Sequence, residues 1–273
     1  AWGALAMQLQ YRLDADSRES LPQLAAQIRS AARRALELDP NQNRARAALA
    51  MLPSSFGRWH DADRALLPLL VRREVEPLIR LHRARLFADT GLWERSVAES
   101  RRAVELRPYH SGPHGQLQIS LWGAGRQIEA EQESERALRL WPRSHAIWFN
   151  RMMMLTYGGN PGAAVDFSAE RRFHPYGVDA TIAVRRKTAE ALASGNRAQL
   201  ADVERSVRAA VATEIANTPI AVRFLAAAGR ADDAFDLARR YLTRDVHPVE
   251  RVNTQFLFDP PGRALHRVPE FAE

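Results

Sequence analysis

The sequence predicts an all-α fold, a solenoid of stacked helix pairs, and three observations carry that prediction. Four glycines, Gly57, Gly91, Gly125 and Gly159, stand 34 residues apart, which is the period of a helix–turn–helix repeat. Two columns of mostly small residues keep the same spacing: Ala62, Ser96, Ala130 and Ala164, then Leu66, Ser100, Ser134 and Ser168. The segments ALELDP, AVELRP and ALRLWP close their units on Pro40, Pro108 and Pro142 in one register.

Each mark has a physical reason. Small residues belong where two helices cross closely, because a bulkier side chain would push the backbones apart. Glycine suits a sharp helix end, where a left-handed backbone costs it nothing. Proline ends the second helix, since it lacks the N–H that the ladder needs and restricts the residue before it. Between these marks run apolar residues at helical spacing, such as Leu78, Leu81, Leu86 and Phe87. Weaker columns accompany them. Ala50 and Ala84 give way to Gln118 and Met152, and Trp59 and Trp93 give way to Gln127 and Pro161.

Taken in chain order, residues 1–13 carry Trp2, Leu5, Leu9 and Leu13 on a first helix. The run DADSRES reads as a loop, with Ser20 as cap for a helix over Leu21–Leu38 that Asp39, Pro40 and Asn41 break. Four units follow, starting near Asn43, Pro77, Ser111 and His145, and Pro68 predicts a kink or an early stop in the first. FHPYG at 173–177 marks a change of phase, after which 178–194 and 197–216 read as long helices. A relic unit lies at 221–242, where Gly229 and Ala234 restore the glycine-plus-five spacing. The expected segments are a degenerate helix pair at 1–42, four repeats at 43–176, divergent repeats at 177–245 and a tail at 246–273 capping the open end.

At these columns the chain resembles the tetratricopeptide repeat family, most clearly over residues 43–142 and with wear to about 175. The resemblance implies a right-handed superhelical solenoid of antiparallel helix pairs whose first helices line a concave, partner-binding face. On that geometry the inner face comprises Leu81, Arg85, Ala88 and Asp89, then Gly115, Gln116, Ile119 and Trp122, then Phe149, Asn150, Met153 and Tyr157. Such a face suits a protein or peptide partner with apolar anchors, held by amides. The same aromatics and methionine serve equally well as packing between helices. Leu66 and the serines replace the family's aromatic and predict lighter packing, and no inner-face lysine in the clear repeats supplies a carboxylate clamp. The phrase FLFDPPGRALHRVPEF is similar to closing segments of helical-repeat regions in bacterial winged-helix regulators and adenylate-cyclase-like sensors. Val268 stands where those carry an acidic residue.

Composition narrows the function classes. With no cysteine, disulfide and thiolate chemistry are excluded. The formal charge of +7 is carried by arginine, Lys187 being the single lysine. Those arginines alternate with acids, as in RRALELD and ESERALR, which is a solvated helix surface and argues against direct nucleic-acid binding. No run approaches the roughly 20 apolar residues of a membrane span. Ala1 rather than methionine opens the chain, consistent with a piece of a longer protein. The expected compartment is the bacterial cytoplasm, or the periplasm where a signal precedes Ala1.

No nucleophile elbow, phosphate loop or paired-histidine zinc helix is present. YGGNPG at 157–162 falls at an inter-helix turn and lacks the lysine and hydroxyl of a phosphate cradle. His110, His114 and His145 are the nearest approach to a metal cluster, but no carboxylate or thiol completes the set in sequence, so neither metal nor cofactor is expected. The expected function is a non-catalytic interaction scaffold, extending to the sensory region of a larger bacterial regulator. An envelope assembly or secretion factor, and the substrate-presenting helices of a larger enzyme, are the alternatives.

Overall fold

The computed structural model describes residues 1–13, 20–71 and 77–272, and among them it is all-helical, with no strand. Fourteen α-helices occur in the described chain. They are α1 (Trp2–Leu13), α2 (Leu21–Leu38), α3 (Asn43–Met51), α4 (Trp59–Leu70), α5 (Pro77–Asp89), α6 (Trp93–Leu106) and α7 (Ser111–Gly123). After them come α8 (Gln127–Leu140), α9 (His145–Tyr157), α10 (Pro161–Ala169), α11 (Asp179–Ser194), α12 (Arg197–Thr213), α13 (Thr218–Ala227) and α14 (Ala231–Leu242). Short 3-10 turns fill the tail at Gln255–Leu257, Gly262–Arg267 and Pro269–Ala272.

The repeat columns determine local structure as expected. Gly57, Gly91, Gly125, Gly159 and Gly229 all have left-handed φ between 70° and 96°. Helices α2, α6 and α8 each stop two residues before Pro40, Pro108 and Pro142, and the intervening Asp39, Arg107 and Trp141 leave the helical region. Apart from half-buried Ala62 the two columns are buried, Ser96, Ser100 and Ser134 having no exposed surface. Their hydroxyls do more than make room. Ser120 Oγ lies 2.7 Å from Ser96 Oγ and 3.1 Å from Ser100 Oγ, and Gln118 Nε2 donates to Ser134 Oγ at 3.2 Å.

Three expectations are corrected in detail. Helix α2 begins at Leu21, but the Ser20 side chain does not cap it. The rest of the expected DADSRES loop lies outside the described residues. Helix α4 runs through Pro68 and ends two residues on at Leu70, so the proline does not stop the helix at once, although it forfeits the ladder bond to Arg64 O. The tail does not sit as a cap on the last pair alone, because its residues hydrogen-bond back to segments 165–200 positions earlier.

Contacts divide the chain into two compact units, Ala1–Leu86 with Asp245–Asn253, and Phe87–Arg244 with Thr254–Glu273. In the first unit α1, α2 and α3 pack on one another and α4 packs on α3. Helix α2 shows why: Leu21, Leu24, Ala25, Ile28, Ala31, Ala32 and Ala35 recur at helical spacing and bury one stripe. Val249 of the tail enters this core. Beside it Ser54 N–H donates to Pro248 O and Ser54 Oγ to Glu250 O, both at 2.7 Å, and the Arg251 guanidinium donates to Met51 O.

In the second unit each helix from α6 to α14 packs on the next, and α7 and α11 also meet α9. Helix α7 is enclosed on every side, with Pro113 to Gly123 all buried, which is why its apolar residues show no single face. The tail adds to this enclosure. Trp93 Nε1 donates to Phe258 O at 3.1 Å, Arg263 donates to Gly123 O at 2.6 Å, and Thr254 Oγ1 donates to Asp89 O at 2.6 Å. A buried ion pair fixes the tail to α13, with Arg223 Nε 2.6 Å from Asp259 Oδ2. Burial pushes the Asp259 carboxyl up, against the pull of Arg223, the Gly262 N–H and Arg263.

Candidate functional site

The residues expected on an inner face divide into two groups. Leu81, Gln116, Ile119 and Trp122 are buried, Trp122 at 2% exposure among Val97, Leu117, Leu121, Ala130 and Met154. Asp89 and Asn150 keep some surface but are engaged: Asp89 Oδ1 accepts the Thr254 N–H at 3.4 Å, and Asn150 Nδ2 donates to Gly115 O at 2.9 Å. Arg85 is half-buried on α5 in the first unit. Phe149, Met153 and Tyr157 are half-buried on α9, spaced i, i+4 and i+8, so they share one face. The structure therefore gathers the α9 residues and leaves the others in cores or in bonds.

The α9 face leads into a cavity of about 400 Å³ between α9, α11, α12 and α13. Thr156 and Tyr157 from α9 line it, with Val184 and Arg185 from α11, Val203 and Val207 from α12, and Ile220 from α13. Local sequence sets these helices. Gly195 takes a left-handed φ of 62° to end α11, and Asn196 then caps α12, its side chain accepting the Ala198 and Gln199 N–H groups at 3.0 and 3.2 Å. Asn217 Nδ2 donates to Ala210 O at 3.1 Å and ties the end of α12 to the start of α13.

Arg185 dominates the electrostatics. Its Nε is buried with no hydrogen-bond partner, and among the described residues the side chain forms no ion pair. Its guanidinium carbon sits 4.4 Å from the centre of the Phe149 ring, a cation–π contact worth about 0.5–2 kcal/mol. The residue is half-buried: Nε is cut off from solvent while part of the side chain still meets it. Burial lowers its pKa to about 10, with Arg223 adding to that and Tyr157 opposing it, so the guanidinium stays charged at neutral pH. Burial also raises the Tyr157 phenol, keeping it a neutral donor, while Arg185 and Arg223 pull the other way. The second cation lining the cavity, Lys187, is ion-paired with Asp202.

Sequence reasoning missed Arg185 because RRK reads as a solvated basic run. A signal was present: Ile182, Arg185 and Ala189 fall at i, i+3 and i+7, and Ile182 and Ala189 are buried, so Arg185 shares the inward stripe. His114 was read only as part of an incomplete metal set. It is buried, its Nδ1 against the Glu133 carboxylate and its Nε2 3.0 Å from Pro108 O, which leaves neither nitrogen for a metal. His110 Nδ1 accepts the Gly112 N–H at 3.2 Å, and the His145 ring lies 4.1 Å from that of Phe149. Among the described residues no group of three His, Cys, Asp or Glu is placed to hold a metal ion, and no helix is long and apolar enough to cross a membrane. Compared with known proteins, the chain matches no family model and no curated protein.

Proposed function

We propose that the chain is a non-catalytic binding module of tetratricopeptide type, a right-handed superhelical solenoid of antiparallel helix pairs that holds a protein or peptide partner. The repeated left-handed glycines, buried small residues and proline-stopped helices support the architecture. The observation that carries the binding reading is the half-buried line of Phe149, Met153 and Tyr157 along one face of α9. Aromatic and thioether groups in such a line give the apolar anchors that an extended peptide or a partner helix requires.

A random-peptide display library panned against the purified chain tests this reading. Enriched peptides should lose binding when Met153→Ala and Tyr157→Ala are combined, with helical circular dichroism retained. No enrichment over an unrelated helical protein of similar charge, or enrichment indifferent to the two substitutions, sinks it.

The cavity favours a second reading, in which this region senses a small effector within a larger bacterial regulator. A half-open, mostly apolar cleft lined by one cation without a carboxylate partner among the described residues suits a small molecule better than a broad protein surface. Saturable binding of any small ligand that protects α11 and α12 from hydrogen exchange is its test. Unchanged exchange across a ligand panel counts against it.

A further inference from the structure

Arg185 is an expensive residue to keep. A guanidinium whose Nε is buried without a partner loses hydration that the Phe149 ring only partly replaces, and an aliphatic side chain of similar volume at such a site is commonly neutral or stabilising. Among the described residues no carboxylate pairs with it, and the cation–π contact with Phe149 offsets only part of the cost, so packing alone does not account for its presence. Stability given up at one buried position is what a ligand site requires.

The surroundings specify the ligand. The cavity walls are mostly aliphatic, from Val184, Val203, Val207, Ala210 and Ile220. Several lining polar groups are already engaged within the fold: Thr188 Oγ1 donates to Val184 O, Ser206 Oγ to Asp202 O, and Asn217 Nδ2 to Ala210 O. A sugar or a nucleoside would meet too few free partners there. One free cation matches one negative charge. A phosphate brings more charge and more acceptor oxygens than a single guanidinium can satisfy, whereas a carboxylate fits its planar fork. Exposed Ala180, Thr181 and Val184 mark the open side through which a ligand would enter.

We infer that the cavity binds a small apolar monocarboxylic acid, its carboxylate on the Arg185 guanidinium and its aliphatic body along Val184, Val203, Val207 and Ile220. The inference rests on the effector reading.

Titration calorimetry of the full chain tests it, using octanoate with 1-octanol, octylamine, inorganic phosphate and a leucine-terminated tripeptide as matched probes. Octanoate should bind saturably with one site per chain, and 1-octanol about tenfold or more weakly, the loss expected for a charge-assisted hydrogen bond. Arg185→Met should weaken octanoate by a similar factor while its ligand-free Tm holds or rises, a gain that a structural arginine would not give. Val207→Phe, which fills the cavity and keeps the charge, should remove octanoate binding even if Arg185→Met folds poorly. Equal binding of 1-octanol, preference for octylamine or phosphate, or tighter binding of the tripeptide overturns the carboxylic-acid assignment while the effector cavity stands. Binding of no probe overturns both, and neither outcome bears on peptides held by Met153 and Tyr157.

Discussion

Replacing Trp122 with alanine separates a core role from a ligand-binding one. The ring is 2% exposed, packed among Val97, Leu117, Leu121, Ala130 and Met154. Removing an aromatic side chain from such a site costs about 3–5 kcal/mol, the transfer loss plus the cavity left behind. Alanine's better helix propensity offsets about 0.5 kcal/mol of this. The indole N–H is buried without a hydrogen-bond partner, so deleting it relieves a further ~1 kcal/mol of desolvation. The balance is a loss of about 1.5–3.5 kcal/mol, which for a domain of this size lowers Tm by roughly 3–14 °C. Trp122→Phe keeps most of the volume, removes the unpaired donor, and should cost well under half as much. Thermal and urea denaturation followed by far-ultraviolet circular dichroism reads both variants. An unchanged midpoint for Trp122→Ala, or equal losses for the two variants, would refute the packing argument and return Trp122 to the ligand face.

Three other outcomes are expected. Arg223→Leu leaves the Asp259 carboxyl buried alone and should cost about 3–5 kcal/mol, while adding Asp259→Leu should cost less than the two single losses summed; additive losses in chemical denaturation would show that the pair is not coupled. Gly125→Ala meets no neighbouring atom and pays only for the left-handed backbone, about 1–2 kcal/mol, whereas Gly91→Ala also places a Cβ 2.9 Å from the Phe258 ring and should lose more; equal midpoints would disprove the contact. His82 on α5 keeps some solvent-facing surface, but burial first, then Arg251 and Arg85, hold its pKa well below the ordinary value. The folded chain thus refuses a proton that the unfolded chain accepts, so this contribution is complete above about pH 6.5 and is lost as pH falls from there toward the folded pKa. His82→Gln should flatten the decline in denaturation midpoint between about pH 7 and 5, and an unaltered slope would rule this group out.

Local rules made much of the helical framework legible. The 34-residue columns located the turns, and the prolines located three helix ends to within two residues, because both act through backbone geometry within a few positions. Side chains that answer to distant partners were not legible. Glu133 and His114 lie 19 positions apart, and Arg223 and Asp259 lie 36 apart, so no local pattern pairs them. The α7 residues misled for a different reason. The family's geometry exposes one face of the first helix, but here α6, α8, α9 and the tail leave Gln116, Ile119 and Trp122 no open side.

The returning tail has a consequence for how the protein is made. Val249 and the Met51 and Ser54 contacts complete the first unit with amino acids translated some two hundred codons later. At about 5–20 residues per second, the nascent helices of the first unit wait roughly 10–40 seconds before this packing partner emerges. Over that interval a strip of apolar surface stands open to chaperones or to neighbouring nascent chains. Termination ahead of Val249 would therefore take a packing partner from helices made some two hundred codons earlier.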